Sequence, residues 1–271
     1  MNKRILPLVF IALVFFSCDN LEYSPNQSFD RNSPTDLNAK NLAKLYKNAD
    51  NSDDTVRFVL TGDTQRSYDQ ARDLINLINN DPNHRIDFVL LNGDISDFGL
   101  RQEMEWVTKI YEDLTIPYIT IIGNHDLVAN GFNAYRRMFG SLNFSFTYKK
   151  VKFICHDDNS REYQFNGKVP DLNWIAKELE TDASVNAIVG VAHVPPTSND
   201  FDPNLKDAYE SLLNDSPKVV ASLHSHENTN KVRYSTPGGI PFITSNAVTN
   251  REVLYVEIAN GKLLKYETFS Y

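Results

Sequence analysis

The stretch VRFVLTGDTQRS, Val56 to Ser67, runs a set of strand-forming residues into an aspartate and places a glutamine two positions after it. A strand that ends on a charge needs a reason. Taken alone, Asp63 reads equally well as a plain turn residue or helix cap and as a functional group. The decision comes from what the same phrase does elsewhere in the chain.

Apolar runs DFVLL, PYITII, VKFIC, NAIVGVA and KVVASL follow VRFVL, and helical periodicity fills YDQARDLINLI, RQEMEWVTKIYEDL and DLNWIAKELE among them. Near-continuous apolar strands alternating with amphipathic helices predict sheets covered by helices, with crossovers that bring successive strand ends to one edge. From Lys231 the pattern changes to KVRYST, IPFITSNAV, VLYVEIAN and KLLKYETFSY, short strands between turn signals. These predict an antiparallel completion of a second sheet. Trp106 and Trp174 lie on amphipathic helices and are expected in the core.

Five strands of the α/β set end in polar residues: GDTQ, NGDISDFG, GNHD, AHVPP and LHSHEN. Asp63, Asp94, Asn124, His193 and His224 follow one another at gaps of 31, 30, 69 and 31 residues, one or two strand-helix units apart. Ligands bind at the carboxyl ends of strands in open α/β sheets, so five such groups point to one site rather than five separate turns. Carboxylate, amide oxygen and imidazole without thiolate suit Mn, Fe, Zn or related divalent ions. A bridging carboxylate can serve two ions about 3.5–4 Å apart, the arrangement of two-metal phosphoester hydrolysis.

The set Asp63-Thr64-Gln65, Gly93-Asp94-Ile95-Ser96-Asp97, Gly123-Asn124-His125-Asp126, His193 and Leu223-His224-Ser225-His226 resembles the signature of the calcineurin-like metallophosphoesterases. That signature is D-x-H, G-D-x-x-D, G-N-H-D/E, a lone His and G-H-x-H. The resemblance covers about Val56 to the C-terminus. It implies a four-layer α/β/β/α sandwich with mixed sheets, and a hydrolase that cleaves phosphoesters with water activated by two divalent ions (Mn, Fe, Zn or Mg). By motif position it assigns Asp63 and His226 to the first ion, Asn124, His193 and His224 to the second, and Asp94 to both. His125 would be a non-ligating acid or charge stabiliser oriented by Asp97, and Asp126 a structural partner of its own loop. Two positions depart from the signature: Leu223 replaces a glycine, and Gln65 replaces a ligating histidine with a weaker amide oxygen. Arg66 is the foremost candidate for gripping phosphate, ahead of Tyr68, Phe98, Arg101 and Arg161.

The N-terminus carries a separate message. Lys3 and Arg4 precede an apolar run of twelve residues, Ile5 to Phe16, too short to span a bilayer but the length of a signal-peptide core. Ser17 and Cys18 then resemble a bacterial lipobox, although Phe16 is bulkier than usual there. The resulting expectation is a signal peptide over 1–17, a lipid on Cys18, a polar tether over 18–54 closed by a short helix, and a catalytic domain over 55–271. The protein would be exported and held at a bacterial membrane surface, periplasmic or cell-surface. Loss of Lys3 and Arg4 takes the formal charge from −8 to −10, which disfavours nucleic acid as a partner and with it a nuclease. No obligate protein partner is inferred. Cys155, on a strand pattern, is expected as a small core residue with no disulfide partner. The alternative functions are a phosphoesterase-like binding protein weakened by Gln65 and, less favoured by the charge, a nuclease or nucleotide diesterase.

Overall fold

A computed structural model describes residues 28–49, 53–81 and 84–271. The expected signal peptide and Cys18 lie outside these residues. Six α-helices accompany eleven strands among them: α1 (Leu37–Lys47), α2 (Tyr68–Asn80), α3 (Arg101–Tyr111), α4 (Gly131–Met138), α5 (Leu172–Leu179) and α6 (Lys206–Asn214). No described helix is long and apolar enough to cross a membrane.

The strands build two mixed sheets. The first, ordered β11-β10-β1-β2-β3, comprises β1 (Val56–Thr61), β2 (Phe88–Asn92), β3 (Tyr118–Ile121), β10 (Glu252–Ala259) and β11 (Lys262–Ser270). The second, ordered β4-β5-β6-β7-β9-β8, comprises β4 (Phe144–Tyr148), β5 (Val151–Cys155), β6 (Ala187–Val191), β7 (Val219–His224), β8 (Lys231–Tyr234) and β9 (Pro241–Thr244). β1, β2 and β3 run parallel, as do β5, β6, β7 and β9, so the carboxyl ends within each set share an edge.

Side-chain alternation makes the layers. In β1 and β2, Phe58, Leu60, Phe88 and Leu90 face the second sheet, where Phe153, Cys155, Val189 and Ala221 meet them in one buried cluster. Phe58 stacks on Phe88 at 5.3 Å between ring centroids and meets Phe153 edge-on at the same distance. The alternate residues Val59, Val89 and Leu91 turn the other way, onto Leu74, Met104 and Met138 of α2, α3 and α4. On the far side, Ile154, Ile188 and Val219 pack on Ile175 of α5 and Tyr209 and Leu213 of α6. Helices, sheet, sheet, helices is the expected four-layer sandwich. Cys155 is free and fully buried in the middle layer.

Three expectations are corrected by the packing. The C-terminal strands do not all complete the second sheet, nor is the completion wholly antiparallel: β9 joins it parallel to β7 and carries β8 antiparallel, but β10 returns antiparallel to β1 and carries β11 with it. β10 can do so because Leu254, Val256 and Ile258 fill the inter-sheet layer while Val253 and Tyr255 fill the helix layer. Trp106 is 50 % exposed, its ring set edge-on against Tyr68, because α3 turns Met104 and Val107 inward instead. Part of the segment read as tether is also packed: α1 buries Leu37 and Leu45. Asn38 clasps the free edge of β3, donating to the Thr120 carbonyl at 2.9 Å and accepting the Thr120 N–H at 2.8 Å. An amide side chain thus imitates a neighbouring strand and closes an edge that would otherwise stay unpaired.

Candidate metal centre

The motif loops leave the strands at sharp turns. Asp63 and Asp94 both sit in the left-handed region, at φ 54°. Aspartate tolerates that conformation, and its presence at two equivalent strand ends is backbone strain of the kind found at functional sites. Close approach explains two glycines: a Cβ at Gly123 would collide with the backbone nitrogen and Oδ1 of Asp94, and one at Gly93 with the His193 ring.

Buried bonds hold these loops. Asp126, as expected, is structural: Oδ1 accepts the Ile95 and Ser96 N–H groups at 3.0 and 2.8 Å, and Oδ2 accepts the Gly123 N–H at 3.0 Å. Glu103, in the first turn of α3, accepts the N–H groups of Asp97, Phe98 and Leu100 through Oε2. Asn92 reaches across the sheets to the Ala192 carbonyl and Ser225 Oγ, fixing the two sets of strand ends against each other.

Asp94, His193 and His226 present ligand atoms all within 4.8 Å of one another, the one such group of His, Cys, Asp or Glu among the described residues. Three other expected ligands, Asp63, Asn124 and Gln65, attach to this group by direct bonds. His226 N–H donates to Asp63 Oδ2 at 3.2 Å, and its Nδ1 lies 3.0 Å from Asn124 Oδ1. Gln65 points inward: its Nε2 donates to Asp94 Oδ2 at 3.3 Å and its Oε1 is buried without a partner. His224 stands outside the group of three. Its Nε2 lies 2.9 Å from Ser222 Oγ, and its unpartnered Nδ1 is 3.9 Å from Asp158 Oδ2.

The donors suit a cation. His193 Nδ1 lies 2.7 Å from the Asn92 carbonyl, which only accepts, so Nδ1 carries a proton; burial opposes a second one, but Asp94, 3.3 Å from Nε2, raises the ring to about 10, and an ion bound at Nε2 would take the place of that proton. Burial, aided by the Asp94 charge, raises the Asp63 carboxyl above its usual range. Asp94 is held below its own range because His193 and His125 outweigh the burial that opposes them. Burial lowers both His224 and His226, leaving them neutral and able to ligate. Two buried carboxylates beside the neutral His224 and His226 rings, with His193 carrying a proton that a cation can replace, are a donor set that a divalent ion satisfies.

At the rim, His125 is 41 % exposed at its side chain, with its N–H on Asp94 Oδ1 and its Nδ1 3.0 Å from the Asp97 backbone carbonyl. Burial opposes its charged form, yet Asp94 and the Asp97 carbonyl raise it above the usual imidazole value. The expected orientation by Asp97 therefore comes chiefly from its backbone, since its Oδ1 is 3.6 Å from His125 while Oδ2 takes the Arg66 guanidinium through Nε, at 2.7 Å, and Nη2. Arg66 lies over the Phe98 ring, with its side chain 71 % exposed.

Sequence reasoning missed Asp158 and Asp200. Asp158 follows the apolar β5, a strand-end position like those of the motifs, so a signal existed. Asp200 rides on a loop with no periodic neighbour and gave none; its Oδ2 lies 3.1 Å from His226 Nε2.

No curated protein matches the sequence significantly. Among solved structures, a dimetal phosphatase from Danio rerio superposes with a TM-score of 0.59 at 15% identity, over 80% of this chain and 99% of that one. A purple acid phosphatase from yellow lupin (Lupinus luteus) gives 0.62 at 14% identity over 82% of this chain, which spans only 52% of the lupin protein. GAP50, described as the anchor in the inner membrane complex of Plasmodium, gives 0.56 at 15% identity over 80% and 89% of the two chains. At such identities the likeness is one of fold. The calcineurin-like phosphoesterase family model matches residues 56–228, from the first strand through every motif loop, and the chain belongs to that family.

Proposed function

We propose that this protein is an exported, lipid-anchored hydrolase of phosphoesters that works with two divalent ions, Asp63, Gln65, Asp94 and His226 serving one and Asp94, Asn124, His193 and His224 the other. The observation that carries the proposal is the convergence of Asp94, His193 and His226 within 4.8 Å, with His193 Nε2 and Gln65 Oε1 buried and unpartnered beside them. When bound, the ions supply positive charge that neutralises phosphoryl oxygens and acidifies the attacking water.

The chain's own groups do the rest. His125 donates Nδ1–H to the Asp97 carbonyl, so its outer nitrogen, Nε2, is the one that meets substrate, and Asp94 and that carbonyl favour its charged form against burial. From that position it protonates the leaving oxygen. Arg66, braced by Asp97, offers the remaining guanidinium face to a phosphate at the rim. The net charge of −8 supports a small phosphoester rather than a nucleic acid as substrate.

Metal analysis of purified protein, coupled to a panel of aryl phosphate monoesters and diesters, tests this function. The decisive variant is His125→Ala: kcat falls by about 100-fold or more while bound metal is unchanged. Parallel loss of metal and turnover would make His125 a ligand instead. One observation favours a second reading, a binding protein with a weakened site: the Gln65 amide nitrogen, not an imidazole, faces Asp94. Ion binding with no turnover on any ester would select it. The anchor rests on Lys3 to Cys18 alone, and mass spectrometry of the native N-terminus tests it; an unmodified chain starting elsewhere leaves a secreted protein.

A further inference from the structure

We infer that Asp200 is the positioning residue of His226: it holds the imidazole proton on Nε2, so that Nδ1 keeps its lone pair for the metal, and Arg161 braces Asp200 from behind. The inference rests on the metal-centre reading above.

His226 needs outside help where His193 does not. His193 stands at the end of β6, and the neighbouring strand end supplies the Asn92 carbonyl for its Nδ1–H. His226 lies beyond β7 in the left-handed region, at φ 69°, where no strand carbonyl is aimed at its ring. A carboxylate takes that role, with Asp200 Oδ2 3.1 Å from His226 Nε2. Both side chains are mostly buried, at 15% exposure for Asp200 and 16% for His226, so the pair is not one of the solvated ion pairs that contribute little.

The carboxylate is itself fixed twice. Arg161 Nη2 sits 2.7 Å from Asp200 Oδ1, and the Arg161 backbone N–H donates to the Asp200 carbonyl at 3.1 Å. The loops around Arg161 and Asp200 are thereby latched to each other, and Oδ2 is the oxygen left to face the ring. A ligating imidazole carries one proton and one lone pair. An ionised carboxylate can only accept, so the proton belongs on Nε2. The other neighbour, Asn124, lies 3.0 Å from Nδ1 and is an amide whose donor and acceptor ends exchange by a half-turn, so it does not compete for that proton. The arrangement is the carboxylate–histidine–metal relay that fixes tautomer and ring orientation at metal sites.

The test reads the tautomer directly, without turnover. Protein labelled with 15N-histidine is stripped of metal and its imidazole nitrogens recorded by long-range 1H–15N correlation at pH 8, the His226 signals being those absent from His226→Ala. The wild type should show His226 as the Nε2–H tautomer; an Nδ1–H tautomer overturns the inference whatever any variant does. Asp200→Asn keeps the volume but can donate as well as accept, so it should mix the tautomers and weaken Mn2+ binding by about 10–100-fold, with the melting temperature of the metal-free protein unchanged. Arg161→Ala leaves the carboxylate in place and should preserve the tautomer with a smaller loss of affinity. Wild-type tautomer and wild-type affinity in Asp200→Asn would overturn the positioning role. Absence of Mn2+ binding by the wild type would refute the metal-centre reading instead, and the tautomer would still report on Asp200.

Discussion

The two sheets equip the site in different ways. The first contributes oxygen: Asp63, Asp94 and Asn124, with Gln65 beside them, on turns where both aspartates are bent to φ 54°. The second contributes nitrogen: His193 and His224 are fully buried at or just past regular strand ends, and only His226 lies on a turn, at φ 69°. The lesson concerns reach. A carboxylate is short and must be aimed by bending the backbone, whereas an imidazole is long enough to point from a straight strand, provided something fixes which nitrogen is protonated. Strain is therefore concentrated on the oxygen side and hydrogen-bonded orientation on the nitrogen side.

Asp94→Asn breaks the comparison at the point where the sides meet, since Asp94 Oδ2 is the oxygen 3.3 Å from His193 Nε2. It keeps volume and removes the shared charge. Turnover should fall by about 1,000-fold or more, equivalent to several kcal/mol of transition-state stabilisation, with a wild-type circular dichroism spectrum. Near-normal turnover with two ions still bound would sink the bridging role.

Gln65→His sharpens the comparison by placing an imidazole on the oxygen side. The inward amide leaves Oε1 buried and unpartnered, so the substitution removes an unsatisfied group as it adds a basic nitrogen. In the wild type, stepwise chelation should release one ion before the other, and added Mn2+ should restore activity. In the variant the first-released ion should bind about 10-fold more tightly and leave later. Simultaneous release of both ions from the wild type would show that Gln65 makes no weak site.

A last variant leaves the ions alone and tests the buried support on the nitrogen side through stability. His156 Nε2 lies 3.1 Å from the Tyr209 hydroxyl, and burial pushes its pKa down to about 4. A lowered folded-state pKa means stability that is complete above the unfolded value near 6.5 and lost as pH falls through about 4. His156→Gln, which can still meet Tyr209, should remove acid sensitivity on the order of 3 kcal/mol between those limits. Urea titrations at pH 7 and pH 4.5 measure it. An unchanged difference between the two pH values would place the acid sensitivity elsewhere.

The central strands were legible because β1, β2, β3, β5, β6 and β7 are buried on both faces over most of their length and read as near-continuous apolar runs. The site was legible to the extent that its donors sit at the ends of those runs. β10 was harder: VLYVEIAN states a strand with two covered faces but not which sheet receives it, a choice made by packing between residues far apart in the chain. β4 was missed because FSFTY carries intermediate and exposed positions and no long apolar run. Asp200 was invisible for a related reason: its partners, Arg161 and His226, lie 39 and 26 positions away on other loops, and no local pattern connects them.

The Asn38 clasp on Thr120 also gives the fold a direction of mechanical strength. A pull on the chain from its N-terminal side meets Phe29, whose ring lies 4.2 Å from the Arg137 guanidinium, and then α1, where Asn38 grips the middle of β3. The Asp36 and Asn38 N–H groups add bonds to the Arg137 and Phe139 carbonyls at the end of α4. The load is shared among several bonds strained together and spread into an edge strand, so they do not peel open one at a time. β1, with Asp63 and Gln65 at its end, lies inside the sheet behind β2 and β3 and is spared the force. The fold can thus be loaded from its N-terminal side without the candidate metal-binding turns being drawn out of register.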